Sequence, residues 1–344
     1  MIRKICILSM MVLLTSCNFS DSLHNHIGVN AIKSGNYEKA ISEFEKIDKY
    51  TDKYIINYSY ALINKGDLSK ALDMVSKVEK KNIKVYELKS RAYRLMGDVK
   101  SVEEIAKEAL ENGIKSDKIF MDLSFAKDNL QSALIELDKV ENKSIEYYLT
   151  RASIYYKFDE FDRAFKEISN VNDENFDIIK YKYDILVKIN VDESNKYLES
   201  LLSKKLKDED KAKIYALLSK KQEAISIVED LNDKELFATI NYLLYDFEET
   251  TKVIKEMFKD NPELNLELYL MLIDSLMIIG EYDEADFYIK NARYYHDDNV
   301  QILKQELNVA ENTGNIQKSI AVTNKLIELT NAKRFFDEYD FLVR

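Results

Sequence analysis

The stretch Ser34-Gly35-Asn36-Tyr37-Glu38-Lys39-Ala40-Ile41-Ser42-Glu43-Phe44 reads as the end of one helix, a tight turn and the start of a second. Gly35 suits the turn, because a left-handed backbone is sterically free only without a Cβ. Tyr37, Ala40, Ile41 and Phe44 then fall on one face of the following helix. Ala40 is small where two helices must approach, and Phe44 fills the space one turn on. The phrase returns as Gly66-Asp67-Leu68 with Ala71, and as Gly97-Asp98-Val99. With Asp at the turn it returns as Asp128-Asn129-Leu130 with Ala133 and Asp159-Glu160-Phe161 with Ala164. The turn positions 35, 66, 97, 128 and 159 are each 31 residues apart.

Beyond residue 165 the spacing drifts between about 26 and 35 residues, the range a repeat tolerates when its loops differ. Copies are read at Asn190-Val191, where the small residue is missing, and at Leu217-Leu218-Ser219 with Ala224. Others follow at Tyr245-Asp246-Phe247, Gly280-Glu281-Tyr282 with Ala285, and Gly314-Asn315-Ile316 with Ser319. About ten helix–turn–helix units result. Seven Gly and one Pro in 344 residues favour helix over sheet and loop. Of the glycines, five sit at turns, Gly28 sits where helices pack, and Gly113 follows a helix as its stop.

The formal charge of −11 argues against tracking nucleic-acid phosphates, which needs a basic footprint. Both cysteines, Cys6 and Cys17, precede the repeats, so the body holds no disulfide and no thiolate metal site. Arg3 and Lys4 form a short basic segment, and Ile5 to Leu14 are apolar but too few to span a bilayer. Leu14-Thr15-Ser16-Cys17 resembles the lipobox of bacterial lipoproteins. The resemblance implies lipid transfer to the Cys17 sulfur, cleavage before Cys17 and acylation of the new α-amino group. More than one acyl chain is what stable anchoring requires. Removal of residues 1–16 leaves 48 basic against 61 acidic residues, a charge of −13. Asn18 rather than Asp after the Cys leans, by the same resemblance, toward the outer membrane. Asn18 to Ser22 form a tether of roughly 17 Å when extended. His24 and His26 lie on different helix faces and read as a polar entry.

The repeat phrase resembles the tetratricopeptide repeat, abbreviated TPR, over about residues 23–330. With Gly280 as the turn, Leu276 and Ala285 take that family's large and small positions, with Ala292 beyond. With Tyr245 as the turn, Pro262 lands at the family's terminal Pro, and Asn261-Pro262 reads as N-cap and first helical residue. Most units lack that Pro, and 31 is three short of the family period, so the match is to a divergent subgroup. The expected organisation is all-α. A signal peptide at 1–16 and a lipidated tether at 17–22 precede an α-solenoid at 23–330, and 331–344 form a capping helix. Phe335, Phe336, Tyr339 and Phe341 would close the open end of the core.

No catalytic constellation emerges. There is no Gly-rich phosphate loop and no Gly-x-Ser-x-Gly elbow, and His296 is the one histidine beyond the entry. His296-Asp297-Asp298-Asn299 reads as an inter-repeat loop rather than a metal site. No enzyme activity, metal, cofactor or nucleic-acid partner is expected. In TPR proteins the first helix of each unit lines a groove. That resemblance places Lys53, Ile56, Tyr60 and Ile63 on the face, then Lys84, Glu87, Arg91 and Arg94. The next units give Lys115, Lys118, Asp122 and Phe125, then Ser153 and Tyr156. Tyr60, Arg91, Arg94, Lys118, Phe125 and Tyr156 are the candidate contact residues. They suit an extended or helical segment with acidic and apolar groups. Nothing local requires Arg at 91 or 94 for helix stability. The family's clamp for a peptide C-terminal carboxylate is absent. The reading is a membrane-anchored scaffold for protein–protein interaction in the bacterial envelope. The alternatives are a saccharide-binding or enzymatic solenoid using the Tyr-rich groove, and a soluble cytoplasmic regulator.

Overall fold

The computed structural model describes residues 20–173, 175–296 and 299–343; Cys17 and the lipobox lie outside them. The described residues are all-α, twenty-one helices set mostly in helix–turn–helix pairs. The first three pairs are α1 (20–33) with α2 (Tyr37–Phe44), α3 (Asp52–Lys65) with α4 (Leu68–Ser76), and α5 (Ile83–Met96) with α6 (Val99–Glu111); α7 (Asp117–Ala126) and α8 (Leu130–Leu137) follow in the chain. Next come α9 (Ile145–Lys157) with α10 (Phe161–Ile168), α11 (Phe176–Ile189) with α12 (Val191–Leu202), and α13 (Asp208–Leu217) with α14 (Lys221–Leu231). The last are α15 (Lys234–Leu243) with α16 (Phe247–Asp260), α17 (Leu266–Ile278) with α18 (Tyr282–His296), α19 (Val300–Asn312) with α20 (Ile316–Thr330), and the lone α21 (Lys333–Leu342). The described residues divide into two compact units, 20–126 with 323–343, and 127–322.

One turn motif links most pairs. Gly35, Gly66, Gly97, Asp159, Ser219, Tyr245, Gly280 and Gly314 all have positive φ. In each case the next residue's N–H donates back to the carbonyl four residues before the turn, as in Asp67 to Leu62 (3.0 Å) and Glu281 to Leu276 (2.8 Å). This closes the first helix and satisfies a carbonyl that would otherwise be orphaned. The side chain just after the turn often caps the second helix. Asp67 accepts from Lys70 N–H, Asp98 from Ser101 N–H and Asp246 from Glu249 N–H.

Two expected turns differ. Asp128 is not left-handed, because α7 ends at Ala126 and Asn129, extended at φ −138°, caps α8. Asn190 is extended too and serves as both the end of α11 and the N-cap of α12, so a single residue makes the bend. The small residue expected to be missing there is present, since Ser194 is fully buried in α12. Pro262 is also displaced from its expected role. Asn265, not Asn261, caps α17, so Pro262 lies in the preceding loop, where its carbonyl accepts from the Tyr269 hydroxyl at 2.6 Å. The proline forbids a continuation of α16 and the loop takes up the break.

Five residues after the turns stand Ala40, Ala71, Val102, Ala133, Ala164, Ala224, Thr250, Ala285 and Ser319, all essentially without solvent exposure. A larger side chain there would force the paired helices apart. In the first unit, Phe44, Leu62 and Val75 join one core that runs through α1–α5, and Ile105, Ile119 and Leu123 join the next. In the second, Leu268, Leu272, Leu276 and Ile289 anchor the core of α15–α19. Gly28 faces Phe44, whose Cε1 would lie 2.6 Å from any Cβ placed there. In α21, Phe335 is buried and Phe336 exposed. Among the described residues no helix is long and apolar enough to cross a membrane.

Candidate docking face

Within the first unit, α3, α5 and α7 lie side by side, each one helix pair from the next. Residues spaced three, four and seven apart share a helix face. Lys53, Ile56 and Tyr60 therefore line up on α3, Lys84, Glu87, Arg91 and Arg94 on α5, and Lys118, Asp122 and Phe125 on α7. Contacts between the helices join the three rows into one surface. Arg91 Nη2 donates to Asn64 Oδ1 (3.1 Å) and its guanidinium lies 5.8 Å from the Tyr60 ring centroid. Arg94 Nε donates to Asp122 Oδ1 (2.6 Å) and lies 5.2 Å from the Phe125 ring centroid. Ser116 Oγ donates to Glu87 Oε1 (2.8 Å), while Lys84 Nζ donates to the other oxygen of that carboxylate (2.8 Å).

The arginines thus do two things. They present a cation beside an aromatic ring, and they tie consecutive helix pairs together. Asp122 is 13% and Arg94 25% exposed, so their charges are largely withdrawn from water. Burial pushes the Asp122 carboxyl above the ordinary carboxylate range, and the Arg94 charge and hydrogen bond oppose that rise. The helix of Arg94 does not itself require an arginine, but the stacking of one helix pair on the next uses it. Its partner lies 28 residues away on the next helix pair, beyond the reach of any local propensity argument. Ile63 does not join the face either, because it is 3% exposed and belongs to the core. Lys53, Lys115 and Lys118 are exposed.

Tyr156 belongs to the second unit. Its ring meets Phe161 (5.3 Å) and Tyr181 (6.3 Å), and Tyr181 shares a 2.8 Å hydrogen bond with Ser153. Burial raises the Tyr181 hydroxyl, which stays a neutral donor or acceptor. On α15 and α17 the Tyr242 hydroxyl donates to Asp274. Tyr242 and Asp274 hold the register positions of Arg94 and Asp122, three residues before one turn and six before the next. A tie between helix pairs therefore recurs in both units with different chemistry. Nothing in the sequence period marks it, because the period reports size and apolarity rather than polar pairing.

The remaining histidines are engaged. His24 Nδ1 is 2.8 Å from Glu43 Oε2, His26 is 3.1 Å from Asn30 Nδ2, and His296 Nε2 is 2.8 Å from the Leu264 carbonyl. Among the described residues no group of three or more His, Cys, Asp or Glu could hold a metal ion.

No family model matches the chain, and no curated protein matches it. Solved structures of helical-repeat proteins are similar to it. A thermophilic TPR protein of Thermus thermophilus is 15% identical, covered over 99% of its length by 58% of this chain, with a TM-score of 0.36. The pentatricopeptide repeat protein PPR10 from maize is 13% identical, with 96% of this chain and 57% of that one aligned and a TM-score of 0.43. The TPR domain of P58(IPK) is 13% identical, with 94% and 97% aligned and a TM-score of 0.27.

Proposed function

We propose that the chain is a lipid-anchored helical-repeat scaffold of the bacterial cell envelope, at the outer membrane, that docks a protein segment on the face of α3, α5 and α7. The observation that carries the docking reading is the pairing of each arginine with an aromatic ring on a neighbouring helix. Such a surface offers apolar anchors and charge recognition on rigid elements, the combination that dominates interface energetics. A segment with acidic and apolar side chains fits it. The helix pairs hold these side chains in a fixed array. The anchor rests on Leu14-Thr15-Ser16-Cys17.

Two measurements test the reading. Radiolabelled palmitate should enter the wild-type protein and fail to enter Cys17→Ala. A variant that stays equally membrane-bound in high salt would remove the anchor. For docking, Arg91 is the residue to change, because its hydrogen-bond partner is the neutral Asn64 and the direct ion pair to Asp122 belongs to Arg94, with the Arg91 charge a lesser influence on that carboxyl. Tyr60→Ser with Arg91→Gln should keep the circular dichroism spectrum and lose the principal partner in a quantitative pull-down from membranes. Equal recovery of every partner would place docking elsewhere.

A further inference from the structure

We propose that the edge of the first unit formed by its loops between helix pairs lies against an anionic lipid surface. This rests on the lipid-anchored reading and names the surface that the anchor would bring to the bilayer.

The edge is built by a repeated device. The Asp21 carboxylate accepts from the N–H groups of Asp48 (3.0 Å) and Lys49 (3.2 Å). Thirty-one residues on, Asp52 accepts from the N–H groups of Glu79 (3.1 Å) and Lys80 (3.2 Å). Each contact fixes a loop to the first turn of the preceding pair's first helix. It also places the start of α1 on the same edge as those loops. Asp21 is four residues from Cys17, a span of at most about 14 Å.

That edge is rich in lysine. Segments 48–53, 79–84 and 115–118 hold seven lysines, all exposed, against two exposed acids, Asp48 and Glu79. Lys81 and Lys84 pair with Glu108 and Glu87. The ammonium groups of Lys49, Lys53, Lys80, Lys115 and Lys118 have no ion-pair partner among the described residues. Helix stability does not explain them. Lys53, Lys84 and Lys118 are the second residues of α3, α5 and α7, where the helix dipole disfavours a cation. At the same place α9, α11, α13, α15 and α17 carry Glu146, Asp177, Glu209, Glu235 and Glu267, as the dipole prefers. The chain's acidity is not an obstacle, because it belongs to the other unit. Residues 17–126 with 323–344 hold 22 basic and 21 acidic residues, while 127–322 hold 26 and 40.

A row of lysines beside an acyl anchor has phospholipid headgroups as its nearest anionic partner. The test uses wild-type lipidated protein on vesicles of phosphatidylcholine alone or mixed with phosphatidylglycerol. Acetic anhydride labels the lysines, and mass spectrometry reads each site. Lys49, Lys53, Lys80, Lys115 and Lys118 should label about fivefold more slowly on the anionic vesicles, and high salt should erase the difference. Lys100 and Lys107, exposed on α6, should label alike on both. Equal labelling of the five on both vesicles, or equal protection of Lys100 and Lys107, would overturn the proposal. Protection seen only in native membranes, with an acidic protein co-captured, would assign the edge to that protein instead. Palmitate labelling tests the anchor separately, so the anchor can stand where this inference fails.

Discussion

Arg94→Met isolates the tie between α5 and α7. The methionine keeps most of the side-chain bulk and removes the charge that faces Asp122 at 2.6 Å. Breaking a buried ion pair from one side costs about 3–5 kcal/mol, because the remaining charge is stranded. Here the two side chains are 25% and 13% exposed, so water relieves part of that, and about 2–3 kcal/mol is expected at pH 7. At about 2–4 °C per kcal/mol, the melting temperature should fall by about 4–12 °C. The effect should depend on pH with a definite sign. Burial already holds the Asp122 carboxyl above its ordinary range, and without Arg94 it rises further. A carboxyl raised in the folded state destabilises the fold fully above its folded pKa. That penalty fades as pH falls through the folded value and the proton returns. The gap between Arg94→Met and wild type should therefore narrow between pH 7 and pH 5. Adding Asp122→Asn should recover at least half of the loss, since no charge is then stranded. Urea and thermal unfolding followed by circular dichroism at the two pH values supply both numbers. If the single and double variants melt together at every pH, the pair is a surface contact and the reasoning fails.

Gly28→Ala should cost about 1–3 kcal/mol by urea unfolding, because its methyl would meet the buried Phe44 ring at 2.6 Å; Phe44→Leu in the same chain should restore part of the loss. Ala164→Leu overpacks the α9–α10 joint by a similar amount, and since coupling in repeats runs between neighbours, the melt should weaken or split; an unchanged melt would remove that contact. Asp52→Ala removes two acceptors from the Glu79 and Lys80 N–H groups and should cost about 1–2 kcal/mol, with hydrogen exchange at those two amides rising before the rest of the unit. Tyr245→Asn should raise stability by about 0.5–1 kcal/mol, because Tyr245 holds φ +60° as a residue 79% exposed, its ring meeting only the edge of Phe247 among the rings described, and Asn adopts that conformation more readily.

The period was legible because its causes are local. A left-handed turn needs a glycine or a residue that tolerates its place, and a helix crossing needs a small side chain five residues later. Gly35, Gly66 and Gly97 with Ala40 and Ala71 state both requirements in consecutive letters. The helix pairing, the buried alanines and the adjacency of Tyr60 to Arg91 and of Phe125 to Arg94 followed from that register. Where a turn uses another device, as at Asn129 and Asn190, the letters alone misplaced it, because an extended capping asparagine and a left-handed aspartate look alike in sequence. Polar partnership was beyond local reading altogether. Asn64 with Arg91, Arg94 with Asp122 and Asp52 with the Lys80 N–H join residues 27 or 28 positions apart, and only the stacking of one helix pair on the next decides which side chains meet. The letters were enough for the repeat and its period, and for most of the face that α3, α5 and α7 share, Ile63 excepted. The tertiary structure alone decided which charges on that face are spent on the fold and which lysines at its edge remain free, because pairing depends on distance in space rather than position in the chain.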